Sequence, residues 1–231
     1  MLTLCPNPKC RHTFEVPDGR AGKNGPCPNC GQVITYRPLS VWRHVQRQQD
    51  RLAALGRSRR ASSPPLPHPA RLSGLIEDVR SLWNVGSIFR TADGAGFGRL
   101  YLCGITGCPP RPRIAKTSLG AEEHVPWEYH AGALEVLPSL KAAGARVLGL
   151  EHTERSRPLG EVLGRGQVRA PVCLVVGNEV SGISAETLAA CDLVCHLPMR
   201  GMKASLNVAV AFGIGAYLLA EALGQKQTGD R

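Results

Sequence analysis

Four of the nine cysteines in this 231-residue chain fall in two close pairs: Cys5 and Cys10 across PNPK, then Cys27 and Cys30 across PN. Four thiolates spaced in this way suit a tetrahedral zinc ion. Pro6, Pro8, Gly25, Pro26, Pro28 and Gly31 surround the pairs and suit tight backbone knuckles under a metal. Two disulfides are the competing arrangement, and His12 is an alternative ligand. The odd cysteine total and the lack of a basic-then-apolar leader favour a reducing, cytoplasmic compartment, and with it zinc. Four cysteine ligands leave no open coordination position, so the expected ion is structural and supplies most of the folding free energy of a short segment.

Three other stretches place polar residues where apolar text surrounds them. The first, NVGSIFRTADGAGF, begins at Asn84, a competent helix N-cap, and carries Arg90 as the one cation of an otherwise apolar or small helix. Arg90 reads either as a site residue or as a salt-bridged surface residue. Gly94, Gly96 and Gly98 close that helix instead of opening one, which excludes a dinucleotide fingerprint. The second, VVGNEVSGIS, puts Gly177, Asn178 and Glu179 at the end of a Val/Leu-rich run, where α/β folds hold ligands; a surface loop acid is the alternative for Glu179. The third, HLPMRGMKASLNVAVAFGIGAYLL, runs from a strand through a loop into an apolar helix. Ser205 is its expected cap, and Asn207 lies in its first turn and needs a partner. Helix capping by both residues is the simpler reading of that pair.

These stretches need a frame, and the text supplies one. Strands are expected at 72–77, 99–105, 146–150, 171–176 and 193–197, and helices at 84–95, 134–143, 184–190 and from 205. Alternation of this kind implies an α/β fold with a parallel sheet covered on both faces. Residues 1–38 form the candidate zinc ribbon, with Phe14, Val33 and Tyr36 as its thin apolar layer. Residues 39–70 read as a basic helix over 39–55, with Trp42, Val45, Leu52 and Leu55 near one face, followed by an Arg/Ser/Pro linker. Residues 71–231 are the main domain. The net charge of +10 is uneven: residues 1–70 hold 11 Lys and Arg against 3 Asp and Glu, a net of +8. Such asymmetry points to a polyanion, usually nucleic acid, or else to a solubilising tail. The one long apolar stretch, Leu206–Leu223, is rich in small residues and reads as a core or interface helix, with no membrane partner expected.

In order and spacing, the three polar stretches resemble the signature motifs of the SpoU/TrmH branch of the SPOUT methyltransferases: N-x-G-x-x-x-R-T-A-D, G-N-E-x-x-G-I-S and L-P-M-x-G-x-x-x-S-L-N-V-x-V-A. Lys116 opens a segment, KTSLGAEEHVPWEY, that is similar to the family's text between the first two motifs. The resemblance covers roughly residues 70–224. It implies a parallel sheet with a C-terminal trefoil knot, a homodimer joined through the last helix, and S-adenosylmethionine as cofactor. It further implies methyl transfer to a ribose 2′-hydroxyl of RNA, either tRNA or rRNA. Gly177, Asn178, Leu197, Met199 and Leu206 are the implied cofactor-binding residues. Arg90, Asn84, Glu179, Ser205 and Asn207 are the implied catalytic group, Arg90 acting either as base or as electrostatic clamp. Lys116 and Arg200 are implied RNA contacts. Val180 and Ser181 depart from the residues many relatives carry there. Competing readings are a zinc-ribbon RNA-binding protein with an inactive methyltransferase domain, and an RNA base methyltransferase. Because the basic segment reads as an appendage, removing residues 1–60 is expected to weaken RNA binding and leave cofactor binding intact.

Overall fold

The computed structural model describes residues 1–55 and 70–224; the Arg/Ser/Pro linker falls outside them except for Ala70. Two short antiparallel hairpins open the chain: β1 (Leu2–Leu4) with β2 (Thr13–Glu15), and β3 (Asn24–Pro26) with β4 (Val33–Thr35). Their core is Cys5, Val16, Cys27, Ile34 and Tyr36. Ile34, fully buried, takes the place expected of Val33, which is half exposed because alternate strand residues face opposite ways. Helix α1 (Leu39–Ala54) follows and buries Val45, Gln48 and Leu52. Leu55 lies beyond the helix and is exposed, and Trp42 is only half-buried. Gln48 completes the buried face instead, donating from Nε2 to the Thr106 carbonyl.

The body is a seven-stranded, wholly parallel sheet. Its elements in chain order are β5 (Leu72–Glu77), α2 (Leu82–Gly94), β6 (Arg99–Cys103), α3 (Pro112–Ser118), α4 (Ala121–His124), β7 (Trp127–His130), a 3₁₀ turn (Ala133–Glu135), α5 (Leu137–Ala142) and β8 (Arg146–Leu150). They continue with β9 (Arg157–Pro158), α6 (Leu159–Gly164), β10 (Val172–Val176), α7 (Ala185–Ala190), β11 (Leu193–His196) and α8 (Val208–Ala222). The strands lie in the order β7-β6-β5-β10-β8-β11-β9. Every residue of the central strands β5 and β10 is buried, as a sheet covered on both faces requires. Alternate residues serve different layers. Leu100, Leu102, Leu174 and Val176 pack with Phe89 of α2 and Phe212 of α8. Tyr101, Cys103, Cys173 and Val175 pack with Leu137 and Leu140 on the opposite face. The sequence alternation thus finds its strands, but α3, α4, α6, β7 and β9 are additions that their short, mixed text did not announce. Gly86 is where α2 meets α3: a Cβ there would lie 2.4 Å from the Ile114 carbonyl oxygen.

Candidate active site and metal centre

The four paired cysteines converge, with all four Sγ atoms within 4.8 Å of one another. Cys5 and Cys30 Sγ lie 3.7 Å apart, and Cys10 and Cys27 Sγ 3.8 Å apart. Tetrahedral zinc with Zn–S bonds of about 2.3 Å needs an S···S edge of about 3.8 Å. The donor set therefore fits structural zinc. His12 belongs to a neighbouring stack on Phe14, ring centroids 5.9 Å apart. Asn29 Nδ2 donates to Cys10 Sγ at 3.3 Å and helps hold that thiol down to about 7.

This metal module is not a loose appendage. Arg37, immediately before α1, is buried against three carboxylates: its Nη2 lies 3.0 Å from Asp78, 3.4 Å from Glu77 and 3.6 Å from Glu186. Burial would favour loss of its proton, but Asp78, Glu77 and Glu186 outweigh this and hold the guanidinium more firmly charged. Burial pushes both Asp78 and Glu186 above the usual carboxylate range, against the pull of Arg37. The Thr35 N–H donates to Glu186 at 2.7 Å, and the Ala185 N–H donates to Thr35 Oγ1 at 3.0 Å. Glu77 also accepts from Ser184 N, Ser184 Oγ and Thr187 Oγ1 at 2.9, 2.8 and 2.7 Å. One buried ionic cluster therefore joins the ribbon, the end of β5 and the start of α7.

The loop between β10 and α7, residues 177–184, bounds a cavity of about 230 Å³ over the carboxyl ends of the strands. Gly177, Asn178 and Glu179 line it, as do Leu197, Met199, Ser205, Leu206 and Asn207 from the chain between β11 and α8. A Cβ on Gly177 would come 2.2 Å from the Gly182 backbone, so only glycine permits that return of the loop. Asn178 staples the loop from within. Its Oδ1 accepts from Val180 and Ser181 N–H, and its Nδ2 donates to the Asp78 carbonyl at 2.7 Å. Glu179 accepts from the N–H groups of Arg80 and Ser81 and from Asn84 Nδ2, each at 3.0 Å. Burial alone would raise its pKa; these donors prevail and lower it.

Asn84 is not the helix cap. Ser81 caps α2, accepting from the Asn84 N–H, which frees the Asn84 amide to bridge Glu179 and Asn207. Ser205 is not a cap either. Asn207 caps α8, its Oδ1 accepting from Ala209 and Val210 N–H, while its Nδ2 donates to Asn84 Oδ1 at 3.1 Å. In the polar row Glu179–Asn84–Asn207 the two end members line the cavity and Asn84 bridges them, and the lining residues Met199 and Leu206 leave about a third of their surface exposed. Arg90 stands apart. It is exposed on α2 and does not line the cavity, and its side chain makes no hydrogen bond or ion pair among the described residues. Its neighbour Thr91 packs on Gly213 of α8, whose Val210, Ile214 and Tyr217 are exposed. Lys116 Nζ sits 5.8 Å over the exposed Trp83 ring, and Arg200 is exposed beside an apolar hollow with Leu206 and Ile214.

Sequence reasoning passed over Glu151 and His152. Glu151 accepts from the Ile183 and His152 N–H groups at 2.9 and 3.1 Å and ties β8 to the 177–184 loop. Both line the cavity, and the His152 ring stands edge-on to His196, centroids 5.1 Å apart. The available signal was a polar pair directly after an apolar strand.

A parallel sheet whose ligand cavity lies between a Gly-Asn-Glu loop and a Leu-Pro-Met loop leading into its last helix defines a SPOUT-type methyltransferase domain. The model of the SpoU rRNA Methylase family matches residues 74–217, and the chain belongs to that family. It is 32% identical over 150 residues to the 23S rRNA (guanosine(2553)-2'-O)-methyltransferase RlmP of Bacillus subtilis, covering 65% of this chain and 58% of the relative. It is 31% identical over 156 residues to the tRNA (guanosine(18)-2'-O)-methyltransferase of Escherichia coli, covering 68% of this chain and 64% of the relative. The crystal structure of AdoMet-bound rRNA methyltransferase from Sinorhizobium meliloti superposes with a TM-score of 0.62 at 28% identity, covering 68% of this chain and 59% of that one. The chain thus spans less than two thirds of the length of each of these relatives.

Proposed function

We propose that this protein methylates the 2′-hydroxyl of a ribose in tRNA or rRNA, using S-adenosylmethionine, as a cytoplasmic homodimer with a structural zinc. The observation that carries the reading is the row Glu179–Asn84–Asn207, whose end members line a cavity with exposed apolar side chains. Leu197, Met199 and Leu206 would cover an adenine ring, and the backbone around Gly177 and Asn178 would hold its polar edges. When bound, the cofactor supplies a methyl group already activated on a sulfonium. The protein's part is then placement and charge control. Asn84 and Glu179 orient the ribose hydroxyl, and Ser205 and Asn207 hold the loops. The cofactor would supply the methyl group to that hydroxyl oxygen and keep the sulfur as a neutral thioether, and the hydroxyl proton would pass to the adjacent phosphate or to water. A guanidinium stays protonated in ordinary settings, so Arg90 acts as a clamp on that phosphate and the developing alkoxide.

Arg90 lies beside the α2–α8 seam, outside its own chain's cavity. In this reading Val210, Ile214 and Tyr217 meet a second copy, and Arg90 serves the partner's cavity. The trefoil knot and the division into ribbon, helix-linker and methyltransferase domain belong to the same proposal. Transfer of labelled methyl to total RNA, followed by nuclease digestion, tests it. Nuclease-resistant methylated dinucleotides are the expected product. Methylated bases point to the base methyltransferase alternative, and an absence of label points to an inactive domain on an RNA-binding ribbon.

A further inference from the structure

The turn that donates the Arg80 and Ser81 N–H groups to Glu179 has a second face. There the Arg80 and Leu82 side chains help to wall a cavity of about 430 Å³. The opposite wall is α1, through His44 and Gln48, and Arg111 at the N-terminus of α3 closes one side. Three separate parts of the chain therefore build it: the helix after the ribbon, the turn under the catalytic row, and the start of α3.

Its charge is unbalanced. Among the described residues neither Arg80 nor Arg111 has a carboxylate at ion-pair distance. The nearby acid, Asp78, is engaged elsewhere: Arg37 holds one oxygen at 3.0 Å and the Ile105 N–H donates to the other at 2.9 Å. Burial, Arg47 and Arg111 lower the pKa of His44, the last two being the local positive field at work, with Asp78 opposing.

Its hydrogen bonding is also incomplete. Gln48 is 3% exposed, and its Oε1 has no partner among the described residues. The same holds for the buried Nε of Arg111. A buried polar atom without a partner costs about 1–3 kcal/mol, so a cavity whose lining residues carry two points to something that supplies them. The missing groups are acceptor oxygens for cationic donors and one hydroxyl or amine donor for Gln48. A phosphodiester beside a ribose 2′-hydroxyl offers both on adjacent atoms, whereas a DNA strand offers only the first.

We propose that this groove holds the phosphate and 2′-hydroxyl of a nucleotide flanking the one to be methylated, with Arg80 and Arg111 on the phosphate and Gln48 Oε1 on the hydroxyl. This rests on RNA being the substrate. It makes the ribbon-borne helix α1 part of the active-site entrance instead of a remote grip.

The test is fluorescence anisotropy of the full chain with a labelled oligouridylate and its 2′-deoxy counterpart across a salt series. Arg80→Ala and Arg111→Ala should each weaken RNA binding roughly tenfold, as loss of a charge-assisted hydrogen bond implies. Each should also reduce the slope of log affinity on log salt by about 0.7. Arg169→Ala, an equal charge change at an exposed site outside the groove, should do neither. Gln48→Met should bring the RNA and DNA affinities together. Cofactor titration of each variant reports on an intact fold. Unchanged binding in the double arginine variant, or an equal loss in Arg169→Ala, overturns the groove. Because anisotropy requires no methyl transfer, a wild type that binds RNA through these arginines yet never methylates it defeats the catalytic reading alone.

Discussion

Replacing Arg37 by methionine tests whether the ribbon is a structural part of the catalytic domain. The substitution keeps side-chain length and removes one charge, leaving Glu77, Asp78 and Glu186 buried around a neutral thioether. Breaking a buried ion pair from one side costs about 3–5 kcal/mol. For a chain of this size each kcal/mol lowers Tm by about 2–4 °C, so thermal unfolding should fall by about 6–20 °C. The pH dependence identifies the cause. Asp78 and Glu186 already have raised pKa values in the fold. A carboxyl raised on folding loses stability as pH climbs from its unfolded to its folded value. Without Arg37 both rise further, so the deficit should be largest near about pH 8 and shrink toward about pH 5 as the acids accept protons. Cofactor affinity should drop as well, because Glu77 holds Ser184 and the Asp78 carbonyl holds Asn178. Losing order at one loop residue costs about 1–2 kcal/mol, about five- to thirtyfold in affinity. Denaturant unfolding and calorimetric titration of S-adenosylmethionine measure the two effects. A deficit under about 1 kcal/mol, or one flat across pH, would refute the electrostatic anchor. By the same argument, deleting residues 1–60 should damage cofactor binding, contrary to what the modular reading of the sequence suggests.

Other outcomes follow from the same geometry. Cys27→Ser should abolish stoichiometric zinc, read by metal analysis, and lower thermal stability through loss of the ribbon. Asn207→Ala removes the α8 cap and the link to Asn84; the cap alone should cost about 0.5–2 kcal/mol in denaturant unfolding. Glu179→Gln should lose the stability that an acid of lowered pKa contributes. That contribution is present above the ordinary carboxylate pKa and disappears as pH falls through the folded value, so wild type and variant should converge in acid. Arg90→Ala should cut methyl transfer by about 10²–10³-fold with cofactor affinity unchanged. Mixing it with a Gly177→Val chain should restore part of the activity if the arginine works across the dimer.

Much of this protein is local, and local features can be read from a linear text. Strand and helix alternation follows from apolar periodicity, and the zinc site follows from four cysteines within twenty-six residues of chain. Each polar stretch lies at a strand end or helix start, which tells where its side chains are used. Ser81, Asn84, Ser205 and Asn207 are all competent caps, and the structure uses Ser81 and Asn207. Only the surrounding packing decides where each helix begins.

Tertiary structure alone joined the parts. Asn84 bonds Glu179 from 95 residues away and Asn207 from 123, and Thr35 donates to Glu186 across 151. Nothing in the text around Arg37 distinguishes it from the other arginines of a basic segment, yet it is buried among three acids. Partnership at such separations depends on how the sheet orders its strands, and strand order is a property of the whole chain. Residue types thus declare what chemistry a chain can hold, while burial, which removes competing water, decides which of them act together.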